Sequence, residues 1–336
     1  MIEFTKPQQT CLRQMAKRYE TEIEAHRLAL SVAGQMQWRT NRAGLEYLYR
    51  THSKFQAPAN LGPRSPATEA IAKDFSELQA SSLRNHADAT ASVHEQAVQV
   101  RDLGLGFVAA PVARALRVLD LHAQFDEVLV MLGTPCLYAY CYQASVDVAR
   151  SILDEAVPIE IADNWLLFGS KLTADRHFLY KLLLQADRTF AVITVHPLRI
   201  ASNGGLTIMF TSQAKSDPLD EDAEPEAEPA PLSHREPTVD WLIDQPRVRT
   251  LLPGVDGAAV PFCVPDIRAF FVHKAWRAER QSRAPELRRA DAAQADFALA
   301  LLKKQFSELE MPEEYFAFLP AAYQLRWRQK PSSQLH

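Results

Sequence analysis

The sequence predicts an α+β protein in which a small mixed sheet is flanked by an N-terminal and a C-terminal helical region. Three observations carry this. Up to about residue 120 the apolar residues recur at helical spacing, with few Val or Ile runs. At Glu127 the texture changes to short apolar runs that alternate with one helix-periodic segment. From Val239 onward the chain reads as helical again, with aromatics to pack (Trp241, Phe270, Phe271, Trp276, Phe297, Phe306). The regions are 1–120, helical; 121–214, the mixed-sheet core; 215–238, an acidic linker; and 239–336, helical. There are no internal repeats.

In chain order, residues 8 to about 36 read as one amphipathic helix, because Leu12, Met15, Tyr19, Ile23 and Leu30 fall on one face. Leu61-Gly62-Pro63-Arg64-Ser65-Pro66 reads as a turn, with Ser65 placed to cap the next helix and Pro66 at its first position. That helix carries Ile71 and Phe75. A polar helix over 78–101 and another over Val112–Leu121 follow. Val128–Leu132, ending at Gly133-Thr134, reads as a buried strand, and Ile159–Phe168, Thr189–Val195 and Leu206–Thr211 as further strands. The segment Leu172–Ala186 reads as a helix. Residues 215–238, rich in Pro, Glu, Asp and Ala, hold too little apolar area to order themselves.

The net charge of −4 is unevenly distributed. Ser216–Ala230 carries seven acids and no base, so the rest of the chain sums to +3, a mildly basic body compatible with an anionic ligand. The four cysteines, Cys11, Cys136, Cys141 and Cys263, form no Cys-x-x-Cys pair and have no His cluster beside them, so a zinc site is not expected. No signal-peptide core opens the sequence and no apolar run is long enough to span a bilayer. The expectation is a cytoplasmic protein with reduced thiols and no membrane partner.

Three stretches together resemble a bacterial family of nucleotidyltransferases within the DNA polymerase beta-like superfamily. The first is Trp38-Arg39-Thr40 with Glu46-Tyr47-Leu48-Tyr49-Arg50 and Leu61-Gly62-Pro63-Arg64-Ser65-Pro66-Ala67-Thr68-Glu69. The second is Gly133-Thr134-Pro135-Cys136-Leu137-Tyr138-Ala139-Tyr140. The third is Asp266-Ile267-Arg268-Ala269-Phe270 with His273-Lys274-Ala275-Trp276, then Arg288-Arg289, Asp291 and Gln294-Ala295. Their order and spacing match that family over approximately residues 35–310.

The resemblance implies phosphoryl transfer by in-line displacement between two magnesium ions, which take oxygen ligands. The family supplies these as an Asp-x-Asp on one strand and a third Asp on a neighbouring strand. Here the Asp-x-Asp lies over Asp163-Asn164-Trp165, so the second acid is replaced by Trp165. Glu160 is no substitute, since an offset of three residues puts it on the opposite face of the strand. The third acid falls within Gly204–Phe210, where there is no carboxylate, and a Glu that usually follows the Ala-Tyr pair is Cys141. Asp163 is therefore the one candidate catalytic acid, or else a capping residue. Magnesium is expected as a cofactor only if the protein is active, and no metal ligands are assigned.

Gly133 and Thr134 are candidate phosphate binders, because a small-residue turn at a helix N-terminus lets backbone N–H groups approach an anion; the alternative is a plain strand-to-helix turn. Cys136 and Cys141 read as core residues on the helix that follows. Lys274 falls within the apolar stripe of Ile267, Phe270, Phe271 and Ala278, whereas Arg280 and Arg283 project to the opposite side. It either reaches a phosphate in a cleft or snorkels to the rim. Arg277, Arg280, Arg283, Arg288 and Arg289 form a basic patch that either meets a protein or RNA partner or is a solvated helix face. Three functions stay open: a catalytically degenerate nucleotidyltransferase-like protein that retains nucleotide or phosphate binding, an active nucleotidyltransferase with an atypical metal site acting on a protein, RNA or small molecule, and a non-catalytic interaction scaffold.

Overall fold

The structure is a computed structural model and describes residues 3–51, 57–146, 165–170, 176–195, 197–212 and 237–329. It is an α+β protein, as the sequence predicts. The chain forms two compact units: one made of residues 10–105 with 256–258, the other of 1–9, 106–255 and 259–336. The acidic stretch 216–236 lies outside the described residues, as does Asp163.

The smaller unit is built on two helices. Helix α1 spans Lys6–Ser31 and buries Cys11, Met15, Tyr19 and Ile23, the stripe that the 3- and 4-residue spacing predicts. Helix α2 spans Pro66–Asp102 as one continuous element, where the sequence suggests two. Its start follows the expected chemistry. Ser65 caps it with a reciprocal Ser65–Thr68 capping box, and Pro66 occupies the first turn.

Between the helices, a region expected to be mostly helical holds a three-stranded antiparallel sheet, β1 (Gln35–Thr40), β2 (Glu46–Thr51) and β3 (Ala59–Pro63). Its β1–β2 turn is organised by Asn41, whose side-chain oxygen accepts from the N–H groups of Ala43 (2.9 Å) and Leu45 (3.0 Å). Leu61–Pro63, expected in a turn, belongs to β3.

In the larger unit, α3 (Ala110–Leu121) and the short α4 (Gln124–Glu127) lead into β4 (Leu129–Leu132), every residue of which is buried. Helix α5 (Cys136–Gln143) follows. Then come β5 (Trp165–Ser170), α6 (Arg176–Ala186), β6 (Ala191–Val195), β7 (Leu198–Ala201) and β8 (Thr207–Ser212). These strands form one five-stranded mixed sheet in the order β4-β5-β8-β7-β6, with β5 and β8 parallel and the other neighbours antiparallel. Strand β7 is the member that the sequence reading lacks. Helix α7 (Pro237–Asp244) lies so close over Gly169 of β5 that a Cβ there would collide with Ile243.

The C-terminal region is not wholly helical either. It opens with an antiparallel pair, β9 (Arg247–Pro253) and β10 (Ala259–Pro265), of which β10 is buried throughout. Helix α8 (Ile267–Ala278) follows, capped by Asp266, whose carboxylate accepts from the Arg268 N–H. Next comes α9 (Pro285–Gln305), then a 3₁₀ turn at Glu313–Ala317 and α10 (Ala321–Arg328). Among the described residues no helix is long and apolar enough to cross a membrane.

Candidate functional site

Two carboxylates placed two residues apart on a strand would share one face, and a third on a neighbouring strand would complete a metal site. The sheet has the geometry for this. Strands β5 and β8 are adjacent and parallel, with position 165 opposite Thr207 and Leu167 opposite Met209. The chemistry is absent from its described strands, since none of β4 to β8 carries an Asp or Glu. The oxygen donors near that register are hydroxyls, notably those of the buried Thr207 and Thr211. A pair of magnesium ions does not fit donors of this kind.

The turn after β4 is built as the residues dictate. Gly133 has φ +84°, a backbone region that side chains with a Cβ seldom adopt. The chain then closes on itself: the N–H groups of Cys136, Leu137 and Tyr138 donate to the carbonyls of Gly133, Thr134 and Pro135 at 3.1, 3.0 and 3.2 Å. These three N–H groups are thereby used within the turn, so fewer remain for a ligand than an open phosphate loop supplies. The Thr134 hydroxyl accepts from Gln294 Nε2 at 3.0 Å. Gln294 is 4% exposed, and its Oε1 has no hydrogen-bond partner among the described residues. Exchanging the two ends of the amide would only move the unsatisfied atom, so one polar group stays open beside the turn.

One helical turn before Gln294, Asp291 organises a cluster of cations. Lys274 Nζ donates to its Oδ1 at 2.9 Å and Arg283 Nε to its Oδ2 at 2.6 Å, while Arg277 Nε lies 3.6 Å from Oδ2. Lys274 and Arg277 are 6% and 5% exposed, and Asp291 is 2% exposed. Among the described residues, three cations thus face the Asp291 carboxylate. Burial lowers the Lys274 pKa from its ordinary value, against the pull of Asp291. Burial alone would raise the Asp291 carboxyl, but the charges of Lys274, Arg277 and Arg283 outweigh it and hold it below its ordinary value. His273, also buried, is held well below the ordinary imidazole value by burial and then by the same cations. Cys136, at the start of α5, is pushed up to about 12 by burial, partly offset by Lys274. Lys274 and the turn are linked through α9, by Asp291 to the one and by Gln294 to the other.

These positions decide several expectations. Lys274 does not snorkel; its ammonium is buried on Asp291. The basic patch is not one surface. Arg277 is buried because α8 packs on nearly all sides and leaves no solvated face for it. Arg283 turns inward to Asp291 rather than outward, because α8 ends at Ala278 and the helical projection cannot be carried past it. Arg280 stays outside with its guanidinium 4.5 Å from the centre of the Trp276 ring. Arg288 donates to Gln281 (3.1 Å) and the exposed Arg289 pairs with Glu286 (3.6 Å). Cys136 and Cys141 are core residues, as expected.

Asp291 and Gln294 are the residues that sequence reasoning left without a role. The signal was their i, i+3 spacing, which puts both on the face of α9 that meets Lys274 and Thr134. A second cluster was missed in the smaller unit, where Glu22, His26 and His86 gather their ligand atoms within 4.8 Å of one another.

A comparison with protein-family models matches residues 110–318 to a family described as Nucleotidyltransferase. That span covers β4 to β10, α8 and α9, and with them every residue of the Thr134–Lys274–Asp291 arrangement. No curated protein and no solved structure matches the chain.

Proposed function

This chain belongs to the nucleotidyltransferase family, and from that premise we propose that it is a polymerase beta-like member that binds a nucleotide or phosphate without performing two-metal transfer. The observation that carries this reading is the contrast between two parts of the larger unit. The described strands that should present metal-binding carboxylates present none, while Lys274, Arg277 and Arg283 gather around Asp291. In a site with magnesium, the metal neutralises the phosphates. Here Lys274, Arg277 and Arg283 would supply that charge from the protein.

In this arrangement the Thr134 N–H and hydroxyl orient a phosphate oxygen at the N-terminus of α5. Gln294, held by Thr134, offers its open amide end to the same ligand. Lys274 contributes through the field of the cluster, or by exchanging part of its hydrogen bonding from Asp291 to the phosphate. Such a charge-assisted bond is worth roughly 1.5–3 kcal/mol.

The test is a transfer assay with each labelled nucleoside triphosphate, magnesium or manganese, and protein, RNA and small-molecule acceptors. No metal-dependent labelling is expected from the wild-type chain. Trp165→Asp alone should create none, because the third carboxylate is still missing from 204–210. Robust labelling that Asp163→Ala abolishes would overturn the reading.

A further inference from the structure

The smaller unit carries a side-chain cluster that the nucleotidyltransferase reading does not use. Glu22 and His26 stand one turn apart on α1, so their side chains share a face. His86 comes from α2. The two helices run antiparallel, since Cys11 meets Gln96, Arg18 meets Glu95, and Glu22 meets both Thr90 and His86. That register brings two imidazoles and one carboxylate to one point. Their ligand atoms all lie within 4.8 Å of one another. His86 Nε2 is 3.4 Å from Glu22 Oε1, and the His26 and His86 rings stack with centroids 4.2 Å apart.

We propose that Glu22, His26 and His86 bind a divalent transition-metal ion of the zinc class, fastening α1 to α2. Ligand atoms about 2.1 Å from a tetrahedral ion lie roughly 3.4 Å from one another, which is the separation found between His86 Nε2 and Glu22 Oε1. Two imidazoles and a carboxylate select zinc, cobalt or nickel over magnesium, whose preferred ligands are all oxygen. A metal uses all three groups with both histidines neutral. Thr90 Oγ donates to Glu22 Oε1 at 3.5 Å, an outer contact of the kind that orients a ligating carboxylate. All three ligands are half-buried, so solvent can reach the site.

The test uses the full chain, freed of metal by chelation and titrated with Co²⁺ while its visible d–d bands are recorded. Zn²⁺ affinity is then measured against a chromophoric chelator. The expected result is one ion per chain, with the intense bands of tetrahedral nitrogen and oxygen coordination. His86→Gln and Glu22→Gln should each lower Zn²⁺ affinity by at least about 100-fold, since loss of an outer-sphere partner alone typically costs 10–100-fold. His94→Gln, an exposed histidine of α2 outside the cluster, should leave affinity unchanged. Zn²⁺ should raise the unfolding temperature of the wild type but not of His86→Gln. The wild-type titration stands whether or not a variant folds. Weak octahedral bands, no stoichiometric binding, or binding that survives in both ligand variants would overturn the proposal.

Discussion

Replacing Asp291 with asparagine keeps the side-chain shape and removes the carboxylate that faces Lys274 at 2.9 Å, Arg283 at 2.6 Å and Arg277 at 3.6 Å. The side chains of Lys274 and Asp291 are 7% and 3% exposed, so water screens little of the interaction. Removing one partner of such a pair typically costs about 3–5 kcal/mol, because a buried charge is left uncompensated. That is a large part of the total stability of about 5–15 kcal/mol that an ordinary domain has. Lys274→Met is the milder change. It removes a desolvated ammonium and leaves Asp291 with Arg283 and Arg277, at a cost of about 1–2 kcal/mol. The double variant carries neither Asp291 nor Lys274, so it should be less destabilised than the two single changes added together, with a coupling of about 2 kcal/mol. Urea unfolding of the four proteins measures this, provided the slope m stays constant across the set. An Asp291→Asn protein within about 1 kcal/mol of wild type, or strictly additive changes, would refute the buried-pair argument.

Acid should destabilise the fold through His273. Its folded-state pKa lies well below the ordinary 6.5, so as pH falls past that value the unfolded chain takes up the proton first. The contribution is fully present above about 6.5 and drains below it, at up to about 1.4 kcal/mol per pH unit until the folded pKa is reached. His273→Gln should flatten that part of the stability–pH profile, and an unchanged slope would contradict the assignment. Gly133→Ala should cost about 1–2 kcal/mol in thermal or urea unfolding. The nearest atom to the added methyl is Pro135 Cδ at 3.7 Å, so the penalty is one of backbone conformation rather than collision. A neutral Gly133→Ala would mean that the turn relaxes to a different backbone.

Much of the architecture is legible in the sequence, because the elements that build the larger unit's sheet have strong local signals. Val128–Leu132 is uniformly apolar and ends at a glycine, and Ser65-Pro66 opens a helix by capping chemistry alone. The antiparallel strands that escaped have weak patterns for physical reasons. Strand β1 does alternate, with Met36 and Trp38 half-buried between exposed neighbours, but two apolar positions are too short a run to stand out from the helical pattern before them. In β9 and β10 the prolines at 253, 261 and 265 argue against a central strand, but each of these strands has one ladder partner, which tolerates a missing N–H on its other side. The site was half legible. Gly133, Thr134 and Lys274 were visible as residues, and Lys274 was rightly turned inward. Its partner Asp291 lies 17 residues away across a helical hairpin, and no local periodicity connects two such positions. A single apolar stripe puts Arg277 on a surface, whereas α8 is buried on nearly all its faces. The Glu22–His26–His86 cluster depends on the register of α1 against α2, which sequence spacing does not contain.

The most direct measurement is a calorimetric titration of the purified chain with each nucleoside triphosphate, run once with magnesium and once with EDTA. Protein-supplied charge predicts saturable binding of at least one nucleotide in EDTA, with an affinity that magnesium does not improve. Lys274→Met should weaken that binding by about ten-fold or more, the equivalent of roughly 1.4 kcal/mol. Absence of binding in EDTA, or binding that appears only when magnesium is added, would contradict the account.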